Sequence, residues 1–275
     1  MVFPEKSVTV SISPSASVLP DSPDPPAFAL MSQQRYASAL SFGAFTSEIV
    51  PAPLKSRKGP SSLDADEHPR PQSTLASLSS LPAVFAKDTG VVTAGNASGI
   101  CDGAAANVVM SEGALGKFGV KPLARIAAYA WSACEPDIMG IGPVVSVKEA
   151  LKKVGKTVAD MDIIEVNEVG GPSLKWAMEL TCWQAFAAQW LAVQKELELP
   201  VEKTNMFGGA IALGHPLAAS GARQVNIPTL YHRADNELRI LANLTLNLHR
   251  LNKRWALGAA CIGGGQGIAV VLERC

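Results

Sequence analysis

Hydrophobic and polar positions follow two different periods along the last two thirds of the chain. Residues 144–154 and 185–199 repeat apolar side chains at helical spacing, which predicts two amphipathic helices. Short apolar runs predict strands at residues 91–94, 123–133, 161–166, 255–262 and 267–273. The aliphatic and aromatic content of residues 123–133 is typical of a buried strand. Because strand and helix patterns alternate, we predict an α/β domain in which helices pack on a mixed sheet.

The first third of the chain has a weaker pattern. Residues 27–47 place apolar side chains at helical spacing, whereas residues 51–82 contain the turn-forming segments PAP, KGP and HPRP. Residues 1–26 are rich in proline and serine and have no helical period. We therefore predict one helix followed by a long loop region, and we assign residues 1–23 to no domain, as a disordered or artefactual segment.

Charge and cysteine content argue against several functions. The chain has 275 residues, with 24 Lys or Arg against 24 Asp or Glu, so its formal net charge is zero. Without a basic surplus, neither nucleic acid nor an anionic membrane is expected as a partner. No apolar stretch has the roughly 20 residues that a membrane span needs. The five cysteines are scattered without a CxxC pair, which argues against a disulfide framework and a zinc site and indicates a reducing compartment.

His215 is the most informative histidine, because Gly214 precedes it and Pro216 follows it. A proline disfavours helical geometry in the residue before it, so we expect His215 to be extended. Pro216 is a favoured first residue of a helix, and residues 217–223 after it are mostly small. The ring would then lie at the mouth of a buried helix, where its pKa can be tuned. The alternative is a core histidine with one satisfied hydrogen bond.

Three further segments carry candidate chemistry. Cys261 precedes three glycines, whose backbone N–H groups could hold an oxyanion because no side chain blocks the approach. Alternatively, this cysteine is inert packing and the glycines form a hairpin turn. Asn167 and Glu168 follow a predicted strand, where loops often carry function, although this pair alone indicates little. Residues 93–99, TAGNASG, could admit a phosphate or an amide chain, or form a simple turn.

Four blocks of sequence together resemble one family. They are GGAIALGHPLAASGAR, AACIGGGQGIAVVLE, VTAGNASGICDGAAA, and EVNE followed later by AFAAQW. These blocks are similar to motifs of the thiolases, and most similar to those of the mitochondrial-type 3-ketoacyl-CoA and acetoacetyl-CoA thiolases. The resemblance implies a layered α/β fold and a mitochondrial location. It assigns residues 24–114 to the end of the amino-terminal domain, including part of the loop domain, and residues 119–275 to the carboxy-terminal domain.

The resemblance also implies a two-step acyl transfer between coenzyme A thioesters, with no permanently bound cofactor and no metal. His215 would activate a nucleophilic cysteine. Cys261 would move a proton on the substrate α-carbon, for which an ordinary thiol pKa of about 8.5 is suitable. Asn167 would hold a water that forms an oxyanion hole with His215, and the N–H of Gly263 would serve a second hole. Residues implied to line the coenzyme A site are Ser98, Ala94, Ala185 and Phe186.

Three features depart from the family pattern. The chain contains no CxSG or CGSG motif for the nucleophile, and Cys101 lies in a different block, so we expect a truncated thiolase. A segment near residues 169–184 splits the NEAF motif, and a segment near residues 224–239 interrupts the helix after GHP. We expect each insert to form a loop or irregular excursion introduced by a gene-model artefact.

Three functions stay open. The first is a thiolase-type acyltransferase of fatty acid metabolism, which cleaves 3-ketoacyl-CoA or forms acetoacetyl-CoA. The second is a non-catalytic thiolase-like module that binds coenzyme A thioesters or a partner subunit. The third, a cysteine hydrolase using Cys261, His215 and Asn167, needs a nucleophile–base geometry that the sequence does not establish. Thiolases form homo-oligomers, and the incomplete amino-terminal half predicts an impaired oligomer.

Overall fold

The computed structural model describes residues 24–46, 48–56, 59–84, 90–104, 107–168, 186–216 and 241–275. Its helices are α1 (Pro25–Ser41), α2 (Leu75–Ser79), α3 (Glu112–Phe118), α4 (Gly142–Lys153), α5 (Phe186–Leu197), α6 (Ala210–Leu213) and α7 (Leu241–Arg250). Its strands are β1 (Ala52–Ser56), β2 (Gly59–Leu63), β3 (Ala124–Ala133), β4 (Ile163–Val166), β5 (Trp255–Ile262) and β6 (Gln266–Arg274). Short 3-10 helices span Pro136–Ile141, Val158–Asp160 and Val201–Lys203.

Among the described residues, four strands form the central sheet in the order β3-β6-β5-β4. β4 and β5 run parallel, while β6 is antiparallel to both of its neighbours, β5 and β3. The carboxyl ends of β3, β4 and β5 therefore lie at one end of the sheet, which we call the site end, whereas β6 ends at the opposite end. The predicted mixed sheet is confirmed, and β5 has the bounds that the apolar run 255–262 predicts.

Helices cover both faces of this sheet. On one face, α1, α4 and α5 enclose the main hydrophobic core, in which Trp190 of α5 stacks on Phe28 of α1 with ring centroids 4.2 Å apart. On the other face, Leu244 and Leu248 of α7 pack against Val270 of β6 and its neighbours. The prediction of an α/β domain with helices packed on a mixed sheet is confirmed.

Local sequence explains where the helices begin and end. Asp24 caps α1 by accepting the N–H of Ala27 at 2.8 Å, and a proline occupies the first turn. The helix ends at Ser41 rather than near residue 47, because Gly43 adopts a φ of +73° and turns the chain away. α4 carries two lysines in its last turn, where positive charge offsets the helix dipole.

Three expectations about strands and loops are wrong. Residues 51–82 contain the antiparallel β1–β2 hairpin and α2 rather than only loop, because backbone pairing forms there without apolar alternation. Residues 91–94 form no strand, and Thr93 makes only an isolated bridge. β3 lies at the edge of the sheet, where Tyr129 and Trp131 are 53% and 71% exposed, so it is not a buried strand.

Some expectations concern residues outside the described ranges. These are the segment 1–23, the helix after Pro216, and the inserts near 169–184 and 224–239. Both inserts therefore stay predictions, as does the irregular course expected of them. Within the described ranges, no helix combines the length and the apolar character that crossing a membrane requires.

Candidate active site

The site end of the sheet places Asn167 and Cys261 on neighbouring strands. Asn167 follows β4 directly, and its N–H donates to the carbonyl of Ala259 in β5 at 2.9 Å, which continues the parallel pairing. Cys261 lies two residues further along β5. Asn167 is 2% exposed, and its Oδ1 has no hydrogen-bond partner in the described part of the chain. A buried carbonyl oxygen in this state marks a position where water or a ligand can bind.

Cys261 lies in a buried cluster with Met139 and with Ala210, the first residue of α6. This cluster places α6 near the site end of the sheet. Burial raises the pKa of the Cys261 thiol to about 12. The expectation of a pKa near 8.5 is therefore wrong, because a desolvated thiol resists ionisation. A thiol that is neutral at pH 7 is suited to donating a proton rather than to attacking a carbonyl.

α6 leads directly into His215. This single helical turn ends at Gly214, whose φ of +84° is a conformation that glycine adopts readily. The backbone N–H of His215 then donates to the carbonyl of Gly99 at 2.7 Å, and His215 forms a parallel bridge with Ile100. The extended conformation that Pro216 predicts is confirmed, and His215 is buried.

Residues 93–99 form a turn beside the start of α5. The side chain of Asn96 fixes this turn through hydrogen bonds to backbone groups three and five residues before it. The carbonyl of Asn96 accepts the N–H of Ala187 in α5 at 3.2 Å. Ser98 is buried, and its Oγ has no hydrogen-bond partner among the described residues, whereas Ala94 is exposed. Of these two, the structure makes Ser98 the group with an unused hydrogen-bonding capacity.

The remaining predicted site residues occupy a turn and a helix start. Gly263 lies in the exposed turn between β5 and β6, and a Cβ added there would point into open space. Its backbone is therefore open to an approaching group. Phe186 is the first residue of α5, but its side chain lies outside the described part of the structure, as does all of Ala185.

Two further side chains support the site through hydrogen bonds to distant segments. Glu168 is completely buried and accepts hydrogen bonds from three donors, including the N–H of Ile211 in α6 at 2.9 Å. His68 accepts the N–H of Gly99 at 3.4 Å, and burial lowers the pKa of its ring. The position of Glu168 after a predicted strand indicated it as a candidate, whereas His68 had no such signal. The partners of both side chains lie at least 31 residues away in sequence, so neither periodicity nor motif spacing points to these contacts.

Asn167 and Cys261 thus lie on neighbouring strands at the site end, and α6, which clusters with Cys261, leads to His215. The imidazole of His215 has two ring nitrogens that can donate or accept hydrogen bonds. The Cys261 thiol can donate one, and the Asn167 amide can orient a water or a carbonyl oxygen. These groups can support proton transfer beside a polarised carbonyl.

Known proteins share this sequence pattern. Residues 24–113 match the family model described as "Thiolase, N-terminal domain", and residues 120–237 match "Thiolase, C-terminal domain". The chain belongs to the thiolase family. It is 49% identical to the mitochondrial 3-ketoacyl-CoA thiolase of Bos taurus over 246 residues, which are 90% of this chain and 54% of that protein.

Solved thiolase structures share the fold. The human mitochondrial 3-ketoacyl-CoA thiolase superposes with a TM-score of 0.72 and 42% identity, over 92% of this chain and 55% of the human chain. The same human protein in complex with CoA gives a TM-score of 0.70 and 42% identity, over 91% and 54% of the two chains. The layered α/β thiolase fold is confirmed. The chain spans about half the length of these relatives.

Proposed function

We propose that this protein acts as a thiolase-type acyltransferase, which cleaves 3-ketoacyl-CoA or forms acetoacetyl-CoA in fatty acid metabolism. The observation that carries the proposal is the buried cluster that Cys261 forms with Met139 and with Ala210 of α6. Through it, the strand end with the thiol and the helix that leads to His215 meet in one cluster. Asn167, on the neighbouring parallel strand, completes the set.

Cys261 has the role of proton donor in the cleavage direction. The bond between the α- and β-carbons of the 3-ketoacyl chain breaks, and its electron pair passes to the α-carbon of the departing unit. The thiol gives its proton to that carbon, which yields acetyl-CoA and leaves a thiolate. The β-carbonyl carbon becomes the acyl group, which a separate thiol nucleophile must accept. With a pKa of about 12 the Cys261 thiol holds its proton at neutral pH, so that this proton is available to the carbanion.

His215 and Asn167 have the role of stabilising the negative charge on a thioester oxygen. The Oδ1 of Asn167 supports a bound water, because it is a buried acceptor with no partner among the described residues. That water and the His215 ring would donate to the oxygen, and the N–H of Gly263 would serve a second oxygen. Loss of one such donor typically costs about 2.7 to 4 kcal/mol in the transition state.

Coenzyme A binding is assigned to the turn before α5 and to the start of that helix. The buried Oγ of Ser98 supports a hydrogen bond to the ligand, and Ala94, Ala185 and Phe186 are proposed to lie along it. A human relative has been crystallised with CoA, which supports this ligand class. A mitochondrial location, a homo-oligomeric state and a division into residues 24–114 and 119–275 belong to the same proposal.

One observation favours a second function, a non-catalytic module that binds coenzyme A thioesters. The 275 residues contain no CxSG or CGSG motif for the nucleophile. The hydrolase alternative is disfavoured, because a Cys261 thiol with a pKa of about 12 provides little thiolate at neutral pH. For the 275-residue polypeptide on its own, we therefore expect ligand binding without turnover at a family-like rate.

Two assays on the purified polypeptide test the proposal. Calorimetric titration with CoA and acetoacetyl-CoA measures binding, and thiolytic cleavage of acetoacetyl-CoA measures turnover. Binding should weaken in His215→Ala but not in His249→Ala, whose histidine is exposed on α7. Failure to bind either ligand would contradict the proposal. Robust turnover that is lost in His215→Ala and in Cys261→Ala would show that this polypeptide already contains a complete catalytic site.

A further inference from the structure

Glu168 follows Asn167 and is completely buried, with 0% of its surface exposed. Its Oε2 accepts the N–H of Ile211 at 2.9 Å and the hydroxyl of Ser32 at 3.4 Å. Its Oε1 accepts the side-chain amide of Asn205 at 2.7 Å. Three donors from three separate segments therefore surround one carboxyl group. Burial of such a group is tolerated only where its hydrogen bonds are made.

α6 depends on partners outside its own segment. It has four residues, and no side chain of the preceding Gly209 can cap it. A single turn is not stable alone, and its first N–H groups need acceptors from elsewhere. Glu168 provides one for Ile211, and the Oγ of Ser32 provides one for Gly209 at 3.0 Å. The start of the turn is thus held from β4 and from α1 at once.

The carboxyl group of Glu168 also lies directly on the backbone before α6. A Cβ added at Gly209 would fall 2.1 Å from Oε1 of Glu168, so only glycine permits this approach. On its other side, Asn205 links Glu168 to β4, because its side chain exchanges two hydrogen bonds of 2.9 Å with the backbone of Val166. The carboxyl group therefore joins the strand end that carries Asn167 to the helix that leads to His215.

We propose that Glu168 is a positioning residue, which fixes α6 against the end of β4 and thereby sets the geometry between His215 and Asn167. This role rests on the proposed function, because it concerns the same site. Burial raises the pKa of Glu168, while its three donors and the charge of Arg35 act against that rise. Glu168→Gln keeps the size of the side chain but replaces one carboxylate oxygen with an NH2 group. That NH2 group cannot accept a hydrogen bond and would face one of the surrounding donors.

Nuclear magnetic resonance of the intact polypeptide without any ligand tests this role. Ring-labelled samples show four histidines, and the His215→Asn variant identifies the His215 signal. In Glu168→Gln, the amide of Ile211 should exchange at least about tenfold faster with solvent, since its acceptor is weakened. The ring signal of His215 should move and that of His249 should not.

Leu248→Ala is the control for general destabilisation, because Leu248 of α7 is buried in a cluster that contains no residue of α6. Leu248→Ala should change neither the exchange rate of the Ile211 amide nor the position of the His215 ring signal. If Glu168→Gln matches the unmodified protein or matches Leu248→Ala in both measurements, the proposal is wrong.

Should Glu168→Gln fail to fold, Ser32→Ala decides by the same two measurements. If the Gly209 amide exchanges faster and the His215 ring signal moves, the positioning role is supported. If neither the exchange rate nor the ring signal changes, the role is overturned. Because no ligand is added, these results are independent of whether coenzyme A binds. A failed titration with CoA would count against the proposed function and leave the positioning role intact.

Discussion

The two ends of the central sheet use polar side chains in opposite ways. Near the site end, Asn167 and Ser98 are buried, and each has a side-chain oxygen without a partner among the described residues. At the opposite end, Glu273 of β6 forms ion pairs with Arg125 and Arg254 at the surface. Buried polar atoms without partners cost stability, whereas exposed ion pairs contribute little. We therefore expect polar side chains to stabilise the site end less than the opposite end, as is typical of a ligand-binding site.

Matched residues at the two ends allow like-for-like tests of this comparison. Asn205 and Asn252 both have left-handed backbone geometry, with φ of 49° and 52°, but only Asn205 is buried. Cys261 ends the buried part of β5, and Cys275 follows β6 at the surface. Each pair keeps the residue type constant and changes only its surroundings.

The largest effect is expected from Asn205→Ala. Asn205 makes three side-chain hydrogen bonds to Val166 and Glu168, and alanine would leave their buried groups unpaired. Urea unfolding should show a loss of about 3 kcal/mol or more. Asn252→Ala at the opposite end should cost only about 1 kcal/mol, mainly from its left-handed backbone. Equal losses in the two variants would contradict the comparison.

Cys261 and Cys275 should differ in their rates of alkylation. Burial raises the pKa of Cys261 to about 12, and it also raises the pKa of Cys275, but Cys275 is exposed. At pH 8, iodoacetamide should modify Cys261 at least about a hundredfold more slowly, because only the thiolate reacts. Peptide mass spectrometry over time measures both rates in one sample. Similar rates would mean that Cys261 is not held as a neutral thiol.

Ser98→Ala should separate binding from stability. The Oγ of Ser98 has no partner among the described residues, so its removal should leave the unfolding free energy unchanged or raise it by up to about 1 kcal/mol. Affinity for CoA should fall about tenfold through the loss of one hydrogen bond. Ser41→Ala, on the exposed end of α1, should change neither quantity. A marked loss of stability in Ser98→Ala would show that the hydroxyl group is structural.

The smallest effect is expected from Glu273→Gln at the opposite end. Hydrogen bonds from Arg125 and Arg254 lower the pKa of Glu273, so its ion pairs stabilise the fold above its ordinary pKa. This contribution should be below about 1 kcal/mol and should disappear as the pH falls through the lowered pKa in acid. Unfolding curves of the unmodified protein and of Glu273→Gln at neutral and acidic pH measure this contribution. If the difference in unfolding free energy between the unmodified protein and Glu273→Gln instead grew in acid, the predicted sign would be wrong.

Motifs and local periodicity predicted the parts of the molecule that depend on their own residues. The run 255–262 predicts β5 because a short continuous apolar run is typical of a strand covered on both faces, and six consecutive residues of β5 are buried. Pro216 predicts an extended His215, because a proline disfavours helical backbone geometry in the residue before it. The family motifs name residues within short segments, and the roles that they imply for those residues stay predictions.

Long-range contacts decided the rest. The hydroxyl of Ser32 donates to Glu168 across 136 residues of sequence, and no local pattern indicates such a pair. The exposure of Trp131 depends on which strands and helices lie beside β3, rather than on its own apolar character. The raised pKa of Cys261 likewise follows from its burial against α6.

The most direct test of the central claim is a crystal structure of the protein with bound acetoacetyl-CoA. The quantity to measure is the distance between the His215 ring and the Cys261 sulfur, together with the position of the thioester. We predict a separation below about 10 Å with the thioester between the two groups, since a working acid–base group must come within about 3 Å of the proton that it moves. A larger separation, or a ligand bound away from Ser98 and the site end, would contradict the account.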